Sequence, residues 1–148
     1  MRKINQLVGD IQQIERPQAV IDVTDTFNKY LDAKVDKLEF VFEQPSAQQI
    51  GDINKIITKV KTQYSDITDI FGQDLAFMIM GYKGSHVVEG TDDEFQESDA
   101  SSWIMLAGFA DRIGKNDPVA YADVLQKLKE AFPKLSSPIA EATELKNA

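Results

Sequence analysis

The chain has 148 residues, one histidine, no cysteine and a formal net charge of −8. This length suits one domain with its own hydrophobic core, and the absence of cysteine excludes disulfides, thiolate metal sites and a cysteine nucleophile. Because a negative field repels nucleic acid, we expect a basic protein surface as the partner and no direct nucleic-acid binding.

The N-terminal residues predict a helix that ends at a proline. Ile4, Leu7, Ile11 and Ile14 recur at spacings of three and four, which places them on one helical face. A second helix is expected after Pro17, with a strand over residues 19–24 as the alternative. Residues 1–35 then form a semi-separate helical hairpin. Its first helix either packs on the rest of the chain, which we favour, or contributes to a homodimer.

The next segment predicts a strand followed by a helix. Leu38, Phe40 and Phe42 alternate with Glu39 and Glu43, the period of a strand with one face in solvent. Ser46 and Gln49 form a capping box. The apolar stripe that follows predicts one continuous helix over residues 46–64.

Two strands joined by a tight turn are expected next. Residues 75–80 are apolar on both faces, as in a strand that is covered on both sides. Gly84 and Ser85 suit a two-residue turn, after which residues 86–89 return as the partner strand. The apolar run is far shorter than the roughly 20 residues that a membrane span needs. The polar residues near the N-terminus are unlike a secretory signal, so we expect a cytoplasmic protein.

Two helices and a tail complete the chain. The first helix begins at Ser101 or Ser102 and ends at Gly114, and the second has Asp117 as its N-cap and stops before Pro133. Residues 136–148 are predicted to be a flexible or loosely docked tail. The fold class is therefore α+β, a single domain over residues 1–135. A small, mostly antiparallel sheet of about three strands, including a β-hairpin, packs against four to five helices.

An acidic run is the main candidate for a functional site. Six acids and no basic residue fall within residues 89–99. A calcium-binding EF-hand loop is excluded, because a loop starting at Asp92 would place Glu97 where glycine is required and Trp103 where the bidentate glutamate is required. The alternatives are a solvated loop and a partner-binding surface. The candidate partner-binding residues are Glu89, Asp92, Asp93, Glu94, Glu97 and Asp99.

The other chemical groups predict neither a catalytic site nor a cofactor. His86 is the only histidine, and a zinc site needs three or four nitrogen or sulfur ligands. Asp66, Asp69 and Asp74 are attributed to capping and turn chemistry. Apolar residues that could line a pocket are more simply explained as core; they are Phe77, Met78, Met80, Trp103, Met105 and Phe109.

One local resemblance adds an alternative. Residues 40–46 read Phe-Val-Phe-Glu-Gln-Pro-Ser and run into a helix that contains Ile50 and Ile53. This segment resembles the strand–proline–helix junction of some phage tail assembly chaperones. It covers about 20 of the 148 residues, and the resemblance implies no site residue.

Three functional hypotheses follow. The leading one is a non-enzymatic acidic interaction module, for example a small inhibitor that imitates nucleic-acid charge and presents residues 89–99, with Glu39 and Glu43, to a basic partner. The second is an assembly or chaperone-like accessory protein of phage or bacterial origin. The third is a carboxylate metal-dependent hydrolase.

Overall fold

The computed structural model describes residues 3–89 and 103–132 and confirms an α+β fold. The sheet contains three antiparallel strands in the order β1-β2-β3. The elements, in chain order, are α1 (Ile4–Gly9), β1 (Gln18–Asp22), α2 (Thr24–Asn28), β2 (Val35–Glu43), α3 (Ala47–Gly51), α4 (Ile53–Gln63), α5 (Ile67–Gly81), β3 (Tyr82–Glu89), α6 (Trp103–Gly108), a π-helix (Phe109–Gly114) and α7 (Pro118–Ala131).

The central strand β2 follows the predicted alternation. Leu38, Phe40 and Phe42 are buried against the helices, whereas Glu39 and Glu43 lie on the other face of the sheet. Because neighbouring residues of a strand point to opposite faces, this pattern orients the whole sheet.

The predicted tight turn at Gly84 and Ser85 is wrong, and so is the β-hairpin built on it. Strand β3 runs through both residues and pairs with β2, where Gly84 faces Val41. Gly84 has φ of 137°, a conformation that favours glycine, and the pairing register shifts beside it. A glycine inside a strand often marks such an irregularity, so the same residue type signals a turn or a bulge.

Residues 75–80, predicted as a strand, form the second half of α5. A continuous apolar run has no period that separates a buried strand from a buried helix. Leu75, Ala76 and Met78 are fully buried in this helix. A kink at Gly72, with φ of 69°, divides α5 into two parts.

The predicted helix over residues 46–64 is divided at Asp52. Ser46 and Gln49 make the expected capping box, in which the Gln49 backbone N–H donates to Ser46 Oγ at 3.2 Å and the Ser46 N–H donates to Gln49 Oε1 at 2.8 Å. Asp52 has φ of −95° and ψ of 14°, outside the helical region, and separates α3 from α4. Gly51 precedes this break, and glycine weakens a helix interior by about 1 kcal/mol relative to alanine.

The N-terminal prediction needs two corrections. Helix α1 ends at Gly9 rather than near Pro17, and it contains no buried residue, so its expected packing on the domain is not observed. The first part of the expected second helix forms β1, the strand alternative, in which Ala19 and Ile21 are buried; a short helix, α2, follows over Thr24–Asn28.

The C-terminal elements agree with the sequence in most respects. Asp117 caps α7, since its carboxylate accepts the Ala120 backbone N–H at 3.2 Å, and Pro118 occupies the first turn. The π-helix was not anticipated. The predicted tail, residues 136–148, lies outside the described residues, and the domain boundary at 135 stays a prediction. Within the described ranges, the helices are too short or too polar to cross a membrane.

Gly81 joins α5 directly to β3 and should not tolerate a side chain. A Cβ added there would lie 2.6 Å from the carbonyl oxygen of Glu43, a backbone atom of β2. We therefore expect Gly81→Ala to lower the free energy of unfolding by about 1–3 kcal/mol, the usual cost of overpacking. Urea denaturation provides the measurement. Gly51→Ala is the matched control, because its added Cβ meets nothing within 4 Å. Equal stability of the two variants would contradict the prediction.

Candidate functional site

The acidic run begins where the described part of β3 ends. Glu89 is the last residue of β3 and pairs with Val35 at the start of β2. Among the described residues, strand β3 pairs only with β2 and so lies at one edge of the three-stranded sheet. The remaining candidate acids lie outside the described residues; they are Asp92, Asp93, Glu94, Glu97 and Asp99.

Glu39 and Glu43 do not add unpaired negative charge to the acidic run, because each lies close to a basic side chain. Arg16 Nη2 lies 2.5 Å from Glu43 Oε1, and Gln18 donates to the other oxygen at 3.3 Å. The Arg16 hydrogen bond, followed by that of Gln18, lowers the pKa of Glu43. Lys37 Nζ lies 3.7 Å from Glu39 Oε1. The suggested contribution of both glutamates to an acidic surface is therefore corrected.

Asp66, Asp69 and Asp74 hold α5 against three other parts of the chain. Lys115, after the π-helix, lies 2.7 Å from Asp66; Lys61 of α4 lies 3.1 Å from Asp69; and Lys129 of α7 lies 3.5 Å from Asp74. The hydrogen bonds to Asp66 and then to Asp111 raise the pKa of Lys115. Asp66 occupies the N-cap position without making the capping hydrogen bond that the sequence suggested.

The described residues give no evidence for a metal centre. Over residues 3–89 and 103–132, no three His, Cys, Asp or Glu side chains come together as ligands. His86 is exposed on β3, opposite Glu39 of β2. The metal-dependent hydrolase stays an untested prediction, since most of the acidic run lies outside these ranges.

An apolar groove of about 590 Å³ lies between α2, α6 and the π-helix. Such a volume falls within the range of small-molecule and peptide sites, roughly 300–1,000 Å³. We refer to it as the α6 groove; its lining residues are Phe27, Tyr30, Leu31, Tyr64, Ile104, Met105, Gly108, Phe109, Arg112 and Ile113.

The floor of the α6 groove is the outer side of the aromatic core. The rings of Phe27 and Phe109 stack with centroids 5.7 Å apart and an interplanar angle of 22°. Both rings also meet Phe40 edge to face, at 5.6 and 5.7 Å. Because these rings are fixed by the core, the floor is rigid and apolar.

One hydrogen bond ties the rim of the groove to α7. Tyr30 Oη donates to Asp117 Oδ2 at 2.6 Å, while Asp117 Oδ1 accepts the Ala120 N–H. The Tyr30 hydroxyl and then the Ala120 N–H lower the pKa of Asp117, and the same hydrogen bond to Asp117 raises the pKa of Tyr30. The capping residue of α7 therefore also positions the groove wall.

The π-helix provides the opposite wall. Its wider turn is visible in the hydrogen bond from the Lys115 N–H to the Ala110 carbonyl, five residues back, at 3.0 Å. This extra residue per turn lets Phe109 reach the core while Arg112 and Ile113 line the groove. π-helical turns occur frequently at functional sites.

The apolar residues that the sequence analysis considered as a possible pocket lining lie in different places in the structure. Met105 and Phe109 line it, Met80 and Trp103 line a separate cavity of about 280 Å³, and Met78 is fully buried. Lys59 Nζ lies 5.3 Å from the Trp103 ring centroid in a cation–π contact at that second cavity.

Sequence reasoning missed the remaining lining residues. Phe27, Tyr64 and Arg112 come from three distant segments, and no local spacing connects them. The one signal that could have been noticed is the pair Gly108 and Gly114, which are the N-cap and the last residue of the π-helix and lie six positions apart.

Comparison of the chain with known proteins gives no match among protein-family models, curated proteins or solved structures.

The hydrogen bond between Tyr30 and Asp117 should make the free energy of unfolding depend on pH in the acidic range. A lowered pKa in the folded state means that the contribution of Asp117 is complete above its usual value of 3.8 and is lost as the pH falls below it. We expect the urea midpoint to fall with pH less steeply in Asp117→Asn than in the unaltered chain. Asp117→Ala, which also loses the cap, should be the less stable variant at pH 7. Parallel pH profiles for Asp117→Asn and the unaltered chain would contradict this assignment.

Proposed function

We propose that the protein is a non-enzymatic interaction module whose acidic segment binds a basic surface of a partner protein. The acidic segment is defined as residues 89–99, with Glu89, Asp92, Asp93, Glu94, Glu97 and Asp99 as its binding residues. One concrete form is an inhibitor that occupies a nucleic-acid-binding channel by imitating phosphate charge.

The observation that carries this proposal is the pairing of charges outside the acidic segment. Many of the described acids lie within 4 Å of a basic side chain of the same chain; examples are Glu39, Glu43, Asp52, Asp66, Asp69, Asp74, Asp111 and Asp123. These pairs reduce the field of the described surface, and the sequence adds six acids with no lysine or arginine among them in the acidic segment.

The sequence around the acidic segment supports the same reading. No lysine or arginine occurs between Lys83 and Arg112, and the six acids of the segment account for most of the net charge of −8. A surface with one sign of charge accelerates and orients association with a partner of the opposite sign. The contact is expected to weaken with salt, because exposed charges are screened beyond roughly 8 Å at physiological ionic strength.

Removal of charge from the segment tests the proposal. The tagged full-length chain is used to capture proteins from a lysate of its source at about 0.05 M and about 0.5 M salt, and the captured proteins are identified by mass spectrometry. We expect a basic partner at low salt that is lost at high salt. Asp92→Asn, Asp93→Asn, Glu94→Gln and Glu97→Gln together should reduce its capture at least tenfold.

A control variant removes four charges from other exposed acids. It combines Asp25→Asn, Asp32→Asn, Asp36→Asn and Asp123→Asn, all outside the acidic segment. We expect this control to retain the partner. Equal loss in both variants would mean that only net charge matters, and retention in both would overturn the proposal.

The exposed N-terminal residues favour a second candidate, an assembly or chaperone-like accessory protein. Ile4, Val8, Ile11 and Ile14 are 85, 72, 62 and 76% exposed, and helix α1 buries none of its residues. Exposed apolar residues that lie close together in the sequence are typical of an interaction surface. The junction of β2, Pro45 and α3 also retains the arrangement that resembles phage tail assembly chaperones.

Light scattering tests the accessory-protein candidate. A protein that associates through its N-terminal residues should show a mass above that of the monomer, increasing with protein concentration. Ile4→Ser with Leu7→Ser should reduce this mass, because both substitutions remove exposed apolar surface. A strict monomer at every concentration would exclude self-association through these residues.

A further inference from the structure

Gly108 is a glycine that the packing of the fold does not require. It is the last residue of α6, with φ of −62° and ψ of −39°, values that any residue adopts in a helix. Among the described residues outside its own helix, a Cβ added there would meet only the Tyr64 hydroxyl oxygen, at 4.0 Å. Gly114 differs, because an added Cβ would lie 3.0 Å from the Phe71 ring. Close packing therefore explains Gly114 but not Gly108.

The missing side chain at position 108 leaves space in the α6 groove. Gly108 lines the groove together with Met105, three positions before it, and Arg112, four positions after it. Residues at this spacing share one face of a helix. Glycine is less stable than alanine inside a helix, because its backbone loses more conformational freedom on folding. A residue that lowers stability without a packing reason is typical of a functional site.

The groove combines an apolar floor with a hydroxyl and a guanidinium group. The stacked rings of Phe27 and Phe109 form the floor. The Tyr64 hydroxyl lies beside Gly108, and the guanidinium belongs to Arg112. Sites for small molecules usually have such a composition, in which apolar side chains provide most of the lining and a few polar groups fix the orientation of the ligand.

Arg112 is placed to receive an anion at the groove. Its side chain is 89% exposed, and its ion pair with Asp111 is long, with 3.9 Å between Nε and Oδ2. Asp111 Oδ1 lies closer to Lys115 Nζ, at 2.9 Å. The second acid beside the groove, Asp117, accepts the hydroxyl of Tyr30 at 2.6 Å. Both acids thus have closer donors than Arg112, whose guanidinium has the planar geometry that matches a carboxylate.

From these observations we infer that the α6 groove binds a small amphipathic carboxylate, of which a medium-chain fatty acid is the simplest form. Its carboxylate would pair with Arg112, and its hydrocarbon chain would pass Gly108 and lie on the rings of Phe27 and Phe109. Burial of the chain favours binding, because apolar surface is removed from water. The net charge of −8 opposes an anion at long range, but salt screens this repulsion more than it screens a direct contact.

Calorimetric titration of the full-length chain with decanoate, below its micelle concentration and at about 0.15 M salt, tests the site. We expect saturable binding. Decanamide has the same chain without the charge and should bind roughly tenfold more weakly, because it cannot form the charge-assisted pair. Arg112→Gln should weaken decanoate by a similar factor and leave decanamide unchanged. The matched control Lys55→Gln removes one charge from an 81% exposed side chain of α4 and should leave both Kd values unchanged.

Filling the groove is the second arm of the test. Gly108→Leu places a side chain in the space that the ligand would occupy, so decanoate binding should be lost. The same substitution should keep or raise the urea midpoint, because leucine favours a helix more than glycine does. Gly108→Ala is the smaller step, which should raise the midpoint and weaken binding less. A purely structural role of Gly108 predicts the reverse, a lower midpoint in both variants.

Methionine methyl signals in NMR spectra locate the ligand. Met105 lines the groove, whereas Met78 is fully buried and is not part of the lining. Decanoate should shift the Met105 signal and leave that of Met78 in place.

The remaining outcomes would overturn the inference. Binding that Gly108→Leu leaves unchanged places the ligand outside the groove. Equal Kd values for decanoate and decanamide exclude recognition of the carboxylate, and the absence of saturable binding excludes the site itself. None of these results affects the proposed binding of a basic partner, which uses the acidic segment and is measured separately.

Discussion

The packing around Phe40 connects the sheet to the surfaces on which function is proposed. Phe40 is fully buried at the centre of β2, and its ring meets Phe27, Tyr82 and Phe109 edge to face at 5.6 to 5.8 Å. These partners belong to α2, β3 and the π-helix. One side chain therefore positions three elements, and such aromatic contacts prefer a defined geometry rather than mere burial.

The same packing shapes the α6 groove. Phe27 and Phe109 stack on each other and contact Phe40, and both residues also line the groove. The hydrogen bond from Tyr30 to Asp117 then fixes the wall to the start of α7. The groove therefore borders the hydrophobic core. A ligand or partner segment bound in it would pack against the same aromatic residues that form the core.

Several elements could be predicted because their signals are local. The alternation of β2, the capping box at Ser46 and the cap at Asp117 each depend on residues within a few positions. The strand predicted at 75–80 failed because a uniformly apolar run carries no period, and Gly84 was misread because glycine serves turns and bulges alike. The groove was missed because its walls meet only after α2, α6 and the π-helix have packed together.

Net charge and exposed apolar surface have opposite effects on association between copies of the chain. The net charge of −8 disfavours the approach of two copies at long range, whereas exposed apolar residues near the N-terminus would favour contact only at short range. Salt screens the repulsion between negatively charged copies but does not weaken the burial of apolar surface. Rising salt is therefore expected to weaken the proposed binding of a basic partner by the acidic segment and to favour the proposed contact between copies. The two proposed interactions use different segments of the chain, so ionic strength should shift the balance between them.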